Sequence, residues 1–120
     1  MNRRKIGSCY ETAARFYLEN KGYRFLEANF RIRSGEIDLI MEDGGTLVFV
    51  EVKYRSGRAF GRGEEHVNRR KQQTIIRVAE YYLLREGLYE RCPCRFDVIE
   101  VYVRPERTWE VRHIQGAFEV

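Results

Sequence analysis

Two apolar runs separated by a tight turn constrain the fold of this chain most strongly. The first run covers residues 36–40, the second covers residues 48–53, and the turn sequence Glu42-Asp43-Gly44-Gly45 lies between them. Both runs are rich in β-branched residues, which is typical of buried strands. Two such strands around a glycine-rich turn predict a β-hairpin.

The turn sets the register of this hairpin, and two registers are open. If Gly44-Gly45 is a two-residue turn, Asp38 lies opposite Glu51. If Asp43-Gly44 is the turn, Glu36 lies opposite Glu51. In either register the ionisable residues share one face, because side chains alternate along a strand, whereas a three-residue loop would break this inference. These residues are Glu36, Asp38, Glu51 and Lys53.

Facing carboxylates on a buried hairpin require a compensating cation. Like charges on neighbouring strands destabilise the pair, and a divalent cation that prefers oxygen ligands is the usual remedy. Val48, Val50 and Val52 lie on one face of the second strand, while Leu47 and Phe49 share the other face with Glu51. Because a strand that is apolar on both faces is central, its acids indicate a site. The alternative is an ordinary charged face of an exposed hairpin.

Composition bounds the class of protein. The chain has 120 residues with 43% hydrophobic and 13% aromatic content, which predicts one folded domain over residues 1–120. No apolar run reaches the roughly 20 residues of a membrane span, and no signal-peptide core follows the basic N-terminus. We therefore expect a cytoplasmic protein without a membrane partner. Three cysteines without zinc-type spacing are expected to be reduced thiols.

The charge distribution indicates an anionic partner. The net charge is +4, from 22 basic and 18 acidic residues. Residues 53–71 contain seven basic side chains against Glu64 and Glu65, so the excess follows the acidic run directly. Such a segment suits a nucleic-acid backbone, although a charged run can also be a solvated loop.

The order of elements predicts an α/β domain with a mixed sheet flanked by helices, α-β-β-β-α-β-β. Helical spacing covers about residues 6–20 and 64–86, and strands are expected at 23–33, 36–40, 46–54, 95–103 and 108–114. Glu11 borders the buried stripe of the first helix, where it either reaches inward or pairs with Arg15. Lys71 lies on the core-facing side of the second helix, near its start.

These segments, in this order, resemble the YraN-type family of uncharacterised endonuclease-like proteins within the PD-(D/E)XK, or restriction-endonuclease-like, nuclease superfamily. The resemblance covers nearly the whole chain. Ile37 stands where the superfamily name has a proline before the aspartate. The similar segments are Glu11-Thr12-Ala13-Ala14, Gly22-Tyr23, Gly35-Glu36-Ile37-Asp38-Leu39-Ile40, Phe49-Val50-Glu51-Val52-Lys53-Tyr54-Arg55, Arg95-Phe96-Asp97-Val98-Ile99 and His113-Ile114-Gln115-Gly116-Ala117-Phe118.

The resemblance implies a metal site. Asp38 and Glu51 would be direct ligands of Mg²⁺ or Mn²⁺, and the Val52 carbonyl would add a further oxygen. Glu11 would hold a metal-bound water from the first helix. Glu36 would support the ligands from behind.

The resemblance also implies roles for the basic residues and a function. Lys53 would orient the attacking water and offset charge on the phosphorane. The implied activity is a Mg²⁺-dependent endonuclease acting on DNA, with branched or junction DNA as a candidate substrate and a homodimer as a candidate assembly. A non-catalytic nucleic-acid-binding module and an RNA-processing nuclease are the alternatives. Residues expected to grip phosphates are Arg55, Arg58, Arg62 and Lys71.

Overall fold

A computed structural model describes residues 3–56 and 67–120, and it has the predicted order of elements. The α/β class and the restriction-endonuclease-like arrangement α-β-β-β-α-β-β are confirmed. The helices are α1 (Arg3–Asn20) and α2 (Arg69–Arg85). The strands are β1 (Arg24–Ile32), β2 (Gly35–Asp43), β3 (Thr46–Ser56), β4 (Cys94–Val103) and β5 (Trp109–Phe118).

The five strands form one mixed sheet in the order β1-β2-β3-β4-β5. β3 and β4 are parallel, and the other neighbouring pairs are antiparallel. A parallel pair needs a long crossover, which α2 supplies, whereas tight turns connect the antiparallel pairs. β3 is therefore central, as its apolar residues on both faces predict.

The two helices cover opposite faces of the sheet. One apolar cluster joins α2, through Ile75 and Val78, to Phe49 and other residues of the sheet. A second cluster joins α1, through Ala14 and Leu18, to the other face of β2, β3 and β4. The side chains of β3 alternate between the two clusters, as the period-two pattern requires.

Two predicted boundaries are wrong. Helix α2 begins at Arg69, not at residue 64, because the Asn68 side chain caps it by accepting the Lys71 backbone N–H at 2.8 Å. Residues 64–66 lie outside the described part of the chain. Strand β5 continues past residue 114 to Phe118, which pairs with Phe96 beyond a bulge.

The structure also describes the state of the cysteines and the character of the helices. Cys9, Cys92 and Cys94 are free thiols. Within residues 3–56 and 67–120, neither helix combines the length and the apolar character that crossing a membrane requires.

Candidate metal centre

The β2–β3 hairpin sets the register of the site. Its turn is Gly44-Gly45, whose φ angles of 54° and 94° lie in the left-handed region that glycine adopts without strain. Asp43 therefore pairs with Thr46, and the ladder extends to Leu39 opposite Val50. This is the register predicted for a Gly44-Gly45 turn. Asp38 and Glu51 lie at the next position along the two strands, beyond Leu39 and Val50.

Asp38 lies where the β2–β3 ladder ends. Its Oδ2 accepts a hydrogen bond from the backbone N–H of Val52 at 2.8 Å. Ile37 packs with Ile40 in the cluster beneath α2, whereas Leu39 packs beneath α1. Strict alternation is therefore broken near Asp38, and the period-two argument for a single shared face does not hold along this part of β2.

Four carboxyl groups converge at this point. Glu11, Glu36 and Asp38 can each direct an oxygen to within 4.8 Å of the other two. The carboxyls of Asp38 and Glu51 are close enough for each to shift the pKa of the other. We call Glu11, Glu36, Asp38 and Glu51 the acid cluster. On its outer side, Glu36 accepts a hydrogen bond from Arg31 Nη2 at 2.7 Å.

Helix α1 directs Glu11 inward. Arg15, the alternative partner considered for Glu11, instead has its Nε 3.4 Å from Glu19. The Asn29 side chain lies beside the Glu11 carboxyl and lowers its pKa, and Asp38 and Glu36 are close enough to affect its charge. The helix therefore delivers a carboxyl group to a site that is otherwise built from the sheet.

Burial and mutual repulsion disfavour the charged forms of these carboxyls. Burial, and next to it the neighbouring Asp38, raise the pKa of Glu51 to about 8. Burial also raises the pKa of Asp38, although the Val52 N–H opposes this shift. The pKa of Glu11 is raised by burial and by Asp38. A raised carboxyl pKa means that the surrounding groups do not fully stabilise the negative charge. A bound cation would supply the missing stabilisation.

Two lysines are the cationic neighbours of the buried acids. Lys53 lies on β3 two residues beyond Glu51, and Lys71 lies in the first turn of α2. Both lysines act to lower the pKa of Glu51, and Lys71 acts in the same direction on Asp38. The two lysines thus offset part, but not all, of the charge of the acid cluster.

The structure says less about the arginines that are expected to bind phosphates. Arg55 Nε lies 3.4 Å from Glu100 Oε2, and the Arg55 side chain is 19% exposed. Arg58 and Arg62 lie outside the described residues. Phosphate binding by these arginines and by Lys71 stays a prediction.

The donor set fits a hard divalent cation. The converging side chains of the acid cluster offer only carboxylate oxygens, and Mg²⁺ and Mn²⁺ prefer oxygen ligands. Mg²⁺ retains several waters, so two or three carboxylates are sufficient protein ligands. Asp38 is central, since it approaches Glu11, Glu36 and Glu51. The Val52 carbonyl as a ligand stays a prediction.

Sequence reasoning missed Asn29 at this site and Glu100 as the partner of Arg55. Asn29 lies beside Glu11 and has a φ angle of 54° inside β1. Asparagine is depleted in strands and enriched at positive φ, so its presence in a predicted strand was an available signal. Glu100 is 4% exposed and holds Arg55. No comparable signal exists for Glu100, because the pattern of β4 does not indicate its partner.

Comparison with known proteins places the chain in a family. The model of the uncharacterised protein family UPF0102 matches residues 10–101, a span that contains the whole acid cluster and both lysines. A UPF0102 protein of Symbiobacterium thermophilum is 50% identical over 115 residues, covering 96% of this chain and 97% of the relative. One from Alkaliphilus oremlandii is 49% identical over 116 residues, covering 96% and 98%. The UPF0102 protein YraN of Salmonella typhi is 47% identical over 100 residues, covering 82% and 76%.

Proposed function

Because this chain belongs to the UPF0102 family and presents an acid cluster beside two lysines, we propose that it is a Mg²⁺- or Mn²⁺-dependent endonuclease acting on DNA. The observation that carries this proposal is the convergence of Glu11, Glu36 and Asp38, with the Glu51 carboxyl close enough to Asp38 for each to affect the charge of the other. Carboxyls this close are rare in buried and half-buried positions unless they bind a cation or share a proton. The resemblance to restriction-endonuclease-like proteins supplies the reaction class.

The residues that would hold the metal are those that the resemblance implies. Asp38 and Glu51 would be its ligands, with Glu11 approaching from α1 and the Val52 carbonyl adding an oxygen. A divalent cation bound there would supply Lewis-acid activation of the phosphodiester and acidify a water. Glu36, already bonded to Arg31, would support this arrangement from outside.

The lysines would act on the nucleophile and the phosphate. Lys53 would orient the attacking water and offset the negative charge that develops on the phosphorane. Lys71, at the start of α2, would contact a phosphate oxygen. Arg55, Arg58 and Arg62 follow Lys53 closely in sequence and would extend this contact along the backbone.

DNA with a branch or junction is the proposed substrate. A domain of 120 residues has little surface for reading a long sequence, so structure is the more accessible feature to recognise. A homodimer would present two acid clusters to the two strands of a junction. RNA cleavage and DNA binding without cleavage are the competing outcomes.

The test of this proposal separates metal binding from turnover. Asp38→Asn should abolish Mn²⁺ binding measured by calorimetry and reduce cleavage of branched DNA by about 100-fold or more, because an anionic ligand is lost. Lys53→Ala should bind Mn²⁺ like the wild type while its cleavage also falls about 100-fold. Glu42→Gln is the matched control: it removes a carboxylate from the same strand, where Glu42 bonds Arg24 at the surface.

Each outcome of this test is informative. Equal cleavage by wild type and Asp38→Asn would place the activity elsewhere or in a contaminant. Cleavage of RNA but not of branched or single-stranded DNA would support the RNA-processing alternative. A wild-type protein that binds DNA but cleaves no substrate with Mg²⁺ or Mn²⁺ would favour a binding module.

A further inference from the structure

Asn29 combines a strained backbone with a position opposite the acid cluster. Its φ angle of 54° lies in the left-handed region, although the residue is inside β1 and is not a glycine. Asparagine tolerates this conformation better than most residues, but the conformation still carries strain. Strain of this kind persists only where the surrounding structure holds it, and it concentrates at functional sites.

The strain coincides with a gap in the β1–β2 ladder. Ala28 pairs with Leu39 and Phe30 pairs with Ile37, so Asn29 faces Asp38 between these two pairs. This is also the position at which alternation along β2 breaks. Facing residues of antiparallel strands lie about 5 Å apart, so a change of backbone direction at Asn29 acts directly on Asp38.

The Asn29 side chain provides the second link to the site. Its amide group lies beside the Glu11 carboxyl and lowers the pKa of that carboxyl against the effects of burial and Asp38. An amide N–H directed at the carboxylate has this effect, since a donor favours the charged form. Asn29, Glu11 and Arg15 line the same small pocket between α1 and the β1–β2 pair.

We propose that Asn29 is a positioning residue of the acid cluster: its left-handed backbone opens the ladder opposite Asp38, and its amide holds Glu11 toward Asp38. This inference rests on the proposed function, since it assigns Asn29 a task in metal binding. Asn29 itself touches neither the metal nor the substrate. It acts through Glu11 and Asp38, in the way that residues behind metal ligands commonly orient them.

Two substitutions separate the backbone from the amide. Asn29→Gly keeps the left-handed conformation accessible and removes only the amide, whereas Asn29→Ala also disfavours the conformation. Mn²⁺ binding, measured by calorimetry, should weaken about tenfold in Asn29→Gly, as is typical when a partner of a ligand is lost, and further in Asn29→Ala. Glu90→Gly is the matched control, because Glu90 is exposed and has a φ angle of 59° far from the acid cluster in sequence.

A purely structural role for Asn29 predicts a different result. In that case Asn29→Gly would bind Mn²⁺ with the wild-type affinity, and this outcome would overturn the inference. Thermal unfolding of the metal-free proteins checks that Asn29→Gly melts like Glu90→Gly. The failure of the proposed function is distinguishable, because Asp38→Asn would then bind Mn²⁺ as the wild type does.

A measurement that leaves Asn29 in place covers the case in which its variants do not fold. The side-chain amide signals of Asn29 in the NMR spectrum should shift on addition of Mg²⁺ and should differ between wild type and Glu11→Gln. Signals that respond to neither change would show that the amide does not hold Glu11, and the inference would fall.

Discussion

Two buried carboxyl groups lie on neighbouring strands and have opposite surroundings. Across the β3–β4 ladder, Glu51 pairs with Val98, the residue that follows Asp97. Glu51 is 8% exposed and Asp97 is 0% exposed, so both residues are shielded from solvent. Nevertheless, the pKa of Glu51 is raised to about 8, whereas the pKa of Asp97 is lowered.

Donors surround the Asp97 carboxylate. Arg95 Nε donates to its Oδ1 at 2.9 Å, the Gly116 backbone N–H donates to the same oxygen at 3.0 Å, and His113 Nε2 lies 2.6 Å from its Oδ2. Burial alone would raise the pKa of Asp97, but these contacts outweigh burial. We call Arg95, Asp97, His113 and the Gly116 N–H the Asp97 network.

Glu51 has the opposite kind of neighbour. Asp38, another carboxyl, is the neighbour that most raises its pKa after burial, and Lys53 and Lys71 compensate only part of the charge. The comparison teaches that burial does not by itself distinguish a structural carboxylate from a candidate functional one. The number of donors around the carboxyl makes that distinction, since a satisfied carboxylate stabilises the fold and an unsatisfied one is available to a cation.

The largest expected effect concerns Asp97, whose buried carboxylate is surrounded by hydrogen-bond donors. Asp97→Asn should lower the free energy of unfolding by about 3 kcal/mol at pH 7, because Arg95 and His113 lose the buried negative charge and one of its two acceptor oxygens. Asp43→Asn is the control: Asp43 contacts the same Arg95 at 3.3 Å but is 41% exposed, so its loss should cost less than about 1 kcal/mol. Denaturant unfolding measures both values. Equal losses would mean that burial does not set the strength of these contacts.

A smaller effect of opposite sign on the free energy of unfolding is expected for Glu51, whose negative charge is only partly compensated. Glu51→Gln should raise the free energy of unfolding of the metal-free protein by about 2 kcal/mol at pH 8, because it removes a charge that burial and Asp38 disfavour. Since the pKa of Glu51 is raised in the folded state, this gain should vanish as the pH falls toward 4.5.

Glu100→Gln is the matched control for Glu51→Gln. Glu100 is 4% exposed, but Arg55 and the Tyr102 hydroxyl contact its carboxylate. Its substitution should therefore destabilise the protein. If Glu51→Gln also destabilises the metal-free protein at pH 8, then neighbouring groups do compensate the charge of Glu51. In that case Glu51 and Asp97 do not differ in this respect.

The smallest effect is the pH dependence of the Asp97 network. Because the pKa of Asp97 is lowered in the folded state, its stabilisation is complete above the ordinary value of 3.8 and is lost as the pH falls through the folded value. The stability difference between wild type and Asp97→Asn should shrink by about 1 kcal/mol as the pH falls from 5 into that range. Urea unfolding at a series of pH values measures it. A difference that stays constant down to the acid limit of folding would contradict the lowered pKa.

Much of the hairpin was predictable because it is local. Gly44-Gly45 accepts the two left-handed conformations of a tight turn, and this sets the pairing of Asp43 with Thr46. The apolar residues on both faces of β3 indicated a central strand, which the strand order confirms. The carboxyls of Asp38 and Glu51 were expected together for the same reason.

The break in alternation near Asp38 was not predictable from the same pattern. Period-two reasoning assumes a continuous ladder, but Asn29 on the neighbouring strand leaves the extended conformation. The break therefore depends on Asn29, which lies nine positions before Asp38 and on the other side of the turn between β1 and β2. The inward direction of Glu11 likewise depended on a partner, Asn29, that helical spacing does not reveal.

The sequence by itself determined the order of elements, the position of the hairpin and the identity of the acidic residues, because these depend on short-range preferences and side-chain periodicity. Only the tertiary structure decided which carboxyls are compensated. Asp97 meets Arg95 in its own strand, but it also meets His113 and Gly116 of β5, while Glu51 meets Asp38 and the end of α2. The charge state of a buried carboxyl depends on donors within a few ångströms, and chain folding, not sequence spacing, brings those donors into place.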